Sequence, residues 1–303
     1  MNKTKIEKRD FGRTGMQISV LGFGGAEIGY ERTQVETVER LLGSALDAGL
    51  NVIDTAECYI DSEELIGKAV SHRRHEYYLF TKCGHSSGLN YPDWSPELLT
   101  ESINRSLKRL KTDYVDLVQL HSCSADILRR GEVIEVLQRA RDEGKTRFIG
   151  YSGDSSDALY AINCGAFDTL QTSINIADQE ALELTIPSAR KLGMGIIAKR
   201  PVANAVWKHE TKPENAYVHA YWERLQKLDY DFLKTDFSEA IAIALRFTLS
   251  VPGVHTAIVG TTKPERWIQN AELLDQGLLS PEEFDRIRNR WKDVAAPDWT
   301  GEV

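Results

Sequence analysis

Asn51-Val52-Ile53-Asp54, Tyr77-Tyr78-Leu79-Phe80-Thr81-Lys82 and Tyr114-Val115-Asp116-Leu117-Val118-Gln119-Leu120-His121 are three short apolar runs, each ending on a polar residue. β-branched and aromatic residues dominate them and none reaches helical length, so each reads as a buried strand. Tyr59 stands in the loop after the first run. An acid, an ammonium, an imidazole and a phenol from three strand ends meet only if those strands lie side by side and parallel, the arrangement of a proton-donating enzyme site.

Alternation along each run sets the direction of its side chains. Val115, Leu117, Gln119 and His121 share one face, and Tyr78, Phe80 and Lys82 share another. In a closed barrel, the last residue of an inward column sits at the C-terminal mouth.

The rest of the chain repeats the pattern. Further strands are expected at 18–23, ending in Gly24-Gly25, and at 146–150, 169–174, 194–199 and 255–259, which makes eight. Gly12 to Gly15 reads as a hairpin turn ahead of them. Helical patterns lie between the strands, clearest where Ser95-Pro96 opens a helix with Leu99, Ile103, Leu107 and Leu110 on one face. Thr262 with Glu265, and Ser280 with Glu283 behind Pro281, have capping-box spacing at two late helix starts. Strands alternating with helices imply parallel βαβ units, and eight of them close a barrel. The expected fold is therefore α/β, a (β/α)8 TIM barrel with an N-terminal β-hairpin and an extra C-terminal helix. With no linker, low-complexity stretch or repeat, residues 1–303 read as one domain.

Composition narrows the function classes. A chain of 303 residues buries about 75% of its unfolded surface and needs no disulfides. Its four cysteines, Cys58, Cys83, Cys123 and Cys164, lack the short repeated spacing of a secreted framework. A reducing cytoplasm is the expected setting. Lys and Arg number 37 against 45 Asp and Glu, giving a net charge of −8, and the cations are not segregated, which argues against nucleic acid. Residues 1–9 are charged from the start, and no apolar run approaches the ~18 residues of a membrane span.

The polar residues suit reduction of a carbonyl. A phenol of ordinary pKa ~10 is a poor acid near neutrality, so Tyr59 is expected to need a cation beside it. Lys82 is that cation: a unit charge at ~4 Å in an effective dielectric of ~20 is worth about 4 kcal/mol, whereas a two-unit shift needs about 2.7 kcal/mol. Asp54 keeps Lys82 charged and in place. A neutral His121 donates a hydrogen bond to the substrate oxygen and orients it. No side chain supplies a hydride, so a nicotinamide or flavin is required.

The stretch from Asn51 through Asp54-Thr55-Ala56-Glu57-Cys58-Tyr59, followed by Ser62-Glu63-Glu64-Leu65-Ile66-Gly67, resembles the signature of the aldo-keto reductases, with Thr81-Lys82 and Asp116-Leu117-Val118-Gln119-Leu120-His121 falling where that family has its lysine and histidine. The resemblance implies a TIM barrel closed below by a hairpin, a catalytic tetrad of Asp54, Tyr59, Lys82 and His121, and metal-free reduction of aldehydes and ketones by NADPH, with NADH possible. It also implies cofactor contacts. Gly24 and Gly25 belong to the mouth; Ser152 and Gln171 would take the nicotinamide carboxamide, although the asparagine usual after the serine is Gly153. The aromatic residue that stacks on the nicotinamide is replaced by Lys199, followed by Arg200, and these are expected to reach the pyrophosphate. Thr261, Thr262, Lys263, Arg266, Gln269 and Asn270 resemble the segment that holds the adenosine phosphate. Gly260 stands where many NADPH-specific members have lysine.

Other readings fit less well. Gly22-Phe23-Gly24 fails the dinucleotide fingerprint at its third glycine, and Gly150-Tyr151-Ser152-Gly153-Asp154 misses the hydrolase elbow at its last residue. A metal site using His121 and Cys123 lacks a paired cysteine element, and Lys82 would repel the ion. Cys83 is turned away from Lys82 by alternation and reads as packing. A redox sensor or regulatory subunit that binds NADPH with slow turnover stays open beside the enzyme. Aromatic residues between Trp207 and Phe237 either cover the site or pack helices. The short polar loop 122–129 after His121 suits small or polar carbonyls. The partner is thus a small-molecule carbonyl, and oligomeric state is not readable.

Overall fold

In the computed structural model, which describes residues 6–302, eight parallel strands close into a barrel. Residues 1–5 and 303, the ends of the expected 1–303 unit and part of its charged opening, lie outside the described residues. A two-stranded hairpin, β1 (Lys8–Asp10) and β2 (Gln17–Ser19), precedes the barrel strands β3 (Leu21–Gly24), β4 (Val52–Asp54), β5 (Tyr78–Cys83), β6 (Val115–His121), β7 (Thr146–Ser152), β8 (Thr169–Ser173), β9 (Gly195–Lys199) and β10 (Thr256–Gly260). They pair in chain order and close between β10 and β3, where Gly260 is opposite Gly24.

The run 18–23, expected as one strand, is divided. Ile18 pairs antiparallel with Arg9 in the hairpin, whereas Phe23 pairs with Ile53 in the barrel. The Ser19 amide donates to the Asn51 side chain at 2.6 Å and the Ser19 hydroxyl to the Leu21 carbonyl at 2.9 Å. These side-chain bonds replace the ladder at the break.

The hairpin closes the barrel floor. Phe11, Met16 and Ile18 pack with Val52, Phe80, Leu117, Ile197 and Ile258, and Phe11 stacks on Phe80 with centroids 5.8 Å apart. A Cβ on Gly12, whose φ is 53°, would lie 2.4 Å from the Gly195 backbone nitrogen, so only glycine lets the turn approach the sheet. Access is left to the opposite end.

Leu117 points inward as alternation requires, while Val118 and Leu120 pack outward against the helices. Val115, grouped with the inward column in the sequence, belongs to that outer core instead. Helix Pro96–Leu110 opens with the Leu98 amide donating to Ser95 and buries Leu99, Ile103 and Leu110. Ser280 and Glu283 form the expected capping box on the C-terminal helix Pro281–Val294. The Thr262–Glu265 pair does not: Glu265 itself is the N-cap of Arg266–Glu272, without a side-chain cap, and the Thr262 hydroxyl donates to Glu31 at 3.1 Å. The turn at Pro264 delays the helix past the position the spacing suggested. Tyr221, Tyr230, Phe247 and Trp299 join a second core beside the barrel. Among the described residues no helix is long and apolar enough to cross a membrane.

Candidate active site

Asp54 ends β4 and Lys82 is the penultimate residue of β5; both point into the barrel, where burial leaves only 2% and 1% of their side chains exposed. Lys82 Nζ donates to Asp54 Oδ1 at 2.5 Å and to the Thr55 carbonyl at 2.8 Å. Burial pushes the Asp54 carboxyl up, while the Lys82 ammonium and hydrogen bonds from Gln171 and Gln119 pull it back. Those glutamines join each other as well, Gln119 Nε2 donating to Gln171 Oε1 at 2.7 Å. The ammonium is therefore fixed within a layer of polar side chains resting on an apolar floor.

Tyr59 hangs over this pair, with Lys82 Nζ 5.2 Å from its ring centroid. Its turn is pinned from behind: a Cβ on Gly29 would lie 2.0 Å from the Tyr59 carbonyl, so helix Ala26–Tyr30 reaches the turn only because residue 29 is glycine. His121 meets the Tyr59 ring edge-on at 5.6 Å and an interplanar angle of 79°. The Tyr59 phenol is shifted in the direction opposite to the one expected from the sequence. Burial, followed by the Asp54 charge, raises the Tyr59 pKa well above that of a free phenol. The Lys82 ammonium, held by Asp54 at closer range, favours the phenolate too little to outweigh them. Burial and then the Lys82 and Lys199 charges push the His121 pKa well below the ordinary value, the direction that favours the neutral ring.

The mouth continues along β7, β8 and β9. His121 is opposite Ser152, Ser152 opposite Gln171, and Ser173 opposite Lys199. Ser152 Oγ is buried with no hydrogen-bond partner among the described residues, a donor and acceptor free for a polar ligand group such as a carboxamide. Lys199 and Arg200 are occupied. Lys199 Nζ lies 2.7 Å from Asp154, and Arg200 donates to Ser173 Oγ at 3.0 Å, to Tyr217 Oη at 2.8 Å and to the Glu302 carbonyl. Either residue reaches an anionic ligand only by exchanging these bonds.

Gly24 and Gly25 lie at the end of β3, where Gly25 donates its amide to the Asp54 carbonyl at 2.8 Å. Thr261 accepts the Lys263 amide at 3.1 Å. Lys263 and Gln269 are exposed, Arg266 is half-buried and Asn270 buried. A Cβ on Gly260 would collide with the Glu27 carboxylate, so acid fills the space where a lysine would extend.

Several neighbours were not legible as site residues. His85, from the loop after β5, is 5.5 Å from the His121 ring and 5.4 Å from Trp94, forming one wall. Tyr30 closes another at 5.7 Å from Tyr59. Of the aromatics between Trp207 and Phe237, Tyr217 meets Arg200 at the mouth, whereas Tyr221 and Tyr230 are core. The loop expected after His121 shortens, because Ser124 caps a helix over Ala125–Arg130. Cys83 and Cys123 face the outer core, away from the site.

Comparison with known proteins agrees with this architecture. The model of the aldo/keto reductase family matches residues 20–292. L-galactose dehydrogenase of Arabidopsis thaliana is 30% identical over 88% of this chain and 88% of its own. A 6-dehydroglucose reductase of Novosphingobium aromaticivorans is 34% identical over 51% of this chain and 54% of its own. The holo structure of an aldo-keto reductase from Bacillus halodurans superimposes with a TM-score of 0.83 at 26% identity, covering 97% of this chain and 99% of that one. With its closed (β/α)8 barrel and basal hairpin, the chain belongs to the aldo/keto reductase family of oxidoreductases.

Proposed function

We propose that the protein reduces aldehydes or ketones to alcohols with a reduced nicotinamide dinucleotide, Tyr59 acting as the general acid. The observation that carries this reading is a phenol lying between a buried ammonium–carboxylate pair and an imidazole. When bound, the dinucleotide supplies a hydride to the carbonyl carbon, which no side chain can do. Tyr59 gives its proton to the oxygen, and the phenolate left behind is stabilised by Lys82. His121 orients the oxygen. Ser152 and Gln171 would hold the carboxamide, with Gly24 and Gly25 leaving room at the rim.

Arg200, Thr261, Thr262, Lys263, Arg266, Gln269 and Asn270 would hold the phosphates and adenosine. Lys263 and Arg266 favour NADPH, but Glu27 against Gly260 and Glu31 on Thr262 oppose a further phosphate, so NADH is accepted too. The rim of exposed Tyr30 and Tyr217 with half-buried His85 suits small hydroxylated carbonyls, as do the sugar names of two relatives.

Fluorescence titration with NADPH and NADH, then turnover of an aldehyde panel, tests the reading. Both dinucleotides are expected to bind, and Tyr59→Phe to lose about 10²–10⁴-fold in kcat while still binding them. Reduction that survives Tyr59→Phe removes the acid assignment. Binding with negligible turnover in the native protein favours a redox sensor.

A further inference from the structure

We propose that Cys58 is a positioning residue whose thiol selects the tautomer of His121 that carries its proton on Nε2. Cys58 Sγ lies 3.3 Å from His121 Nδ1, within reach of a sulfur hydrogen bond. It shares one short turn with the general acid, and that turn is held on both sides: the Glu57 amide donates to the Lys82 carbonyl at 3.1 Å, and the Tyr59 amide to the Ala56 carbonyl at 3.1 Å. Arg109 adds a bond to the Glu57 carbonyl at 3.2 Å. The sulfur is thus presented to the ring by a rigid segment.

The direction of the bond follows from the two groups. His121 is neutral, so it carries one N–H. Burial pushes the Cys58 thiol up to about 11, so its proton also stays on. Two neutral partners leave two arrangements. A thiol donating to the Nδ1 lone pair puts the ring proton on Nε2. An Nδ1–H directed at sulfur uses a weak acceptor and leaves Nε2 as a bare lone pair, which repels a carbonyl oxygen. Only the first arrangement gives a ring donor for that oxygen while Nδ1 is engaged.

The catalytic consequence rests on the proposed carbonyl reduction, but the tautomer is readable without turnover. Long-range proton–nitrogen NMR of protein labelled with ¹⁵N-histidine is expected to show a protonated Nε2 and an unprotonated Nδ1 for His121. Cys58→Ala should shift this pattern towards a mixture and lower kcat about tenfold, the equivalent of one hydrogen bond. Cys58→Ser should recover the native pattern and most of the rate, since its hydroxyl can also donate. Native His121 protonated on Nδ1 would overturn the proposal, and so would an unchanged pattern in Cys58→Ala. A shifted pattern with unchanged kcat would uphold the assignment of Cys58 and instead refute the role given to His121. If Cys58→Ala does not fold, the native spectrum and Cys58→Ser still decide.

Discussion

Lys82 donates to Asp54 at 2.5 Å in the middle of the barrel, and neither side chain meets solvent. A pair so placed stabilises the fold little in net terms, because desolvation offsets most of the attraction. Its partners are nevertheless bound to each other: either one alone would be an uncompensated buried charge.

Lys82→Met should therefore cost about 3–5 kcal/mol, as should Asp54→Leu, whereas the double variant should lose much less than the sum. Reduction should be lost in all three. Urea unfolding of the four proteins measures the coupling. Additive losses would show that the two charges are solvated independently, contrary to their burial.

The neutral forms of Tyr59 and His121 set the pH response. A phenol pushed above its ordinary value keeps its proton through neutral and mildly alkaline solution, and an imidazole pushed below its ordinary value stays neutral there too. Hence kcat/KM for carbonyl reduction should be flat from about pH 7 to about pH 10, and alcohol oxidation, which needs the phenolate, should rise across the same range. A reduction profile that falls with a midpoint below about pH 9 would mean that Lys82 outweighs burial and the Asp54 charge at the phenol.

The placement of Asp54, Lys82 and His121 around one mouth was legible in the sequence because strand geometry is local. With a period of two and parallel neighbours, Lys82 and His121 have to point the way Phe80 and Leu117 do. The pKa of Tyr59 was not, since it sums the burial and charges contributed by the whole mouth. The divided strand at 18–23 depends on Ser19 meeting Asn51, and the occupation of Arg200 on the Glu302 carbonyl, contacts between residues far apart in the chain. Trp94 and His85 carried no strand or helix period, so nothing local marked them as a wall. Thr262 and Glu265 had the right spacing, yet Pro264 between them turned the chain before the helix began.

Glu63 provides a stability test independent of activity. Its carboxyl is 1% exposed, accepts the Thr81 hydroxyl at 2.6 Å just before Lys82, and is pushed up to about 7 chiefly by burial. Between the unfolded value of about 4.5 and the folded one, the native state binds a proton that the unfolded chain does not. The favourable contribution is complete below the unfolded value and is lost as pH rises through the folded one. Glu63→Gln keeps an acceptor for Thr81 but has no charge to bury. It should exceed the native protein in stability by on the order of 2 kcal/mol at about pH 8, with the difference shrinking towards zero near pH 4.5. Urea unfolding at the two pH values reads this directly. An equal difference at both would mean that Glu63 titrates in the barrel wall as it does in water.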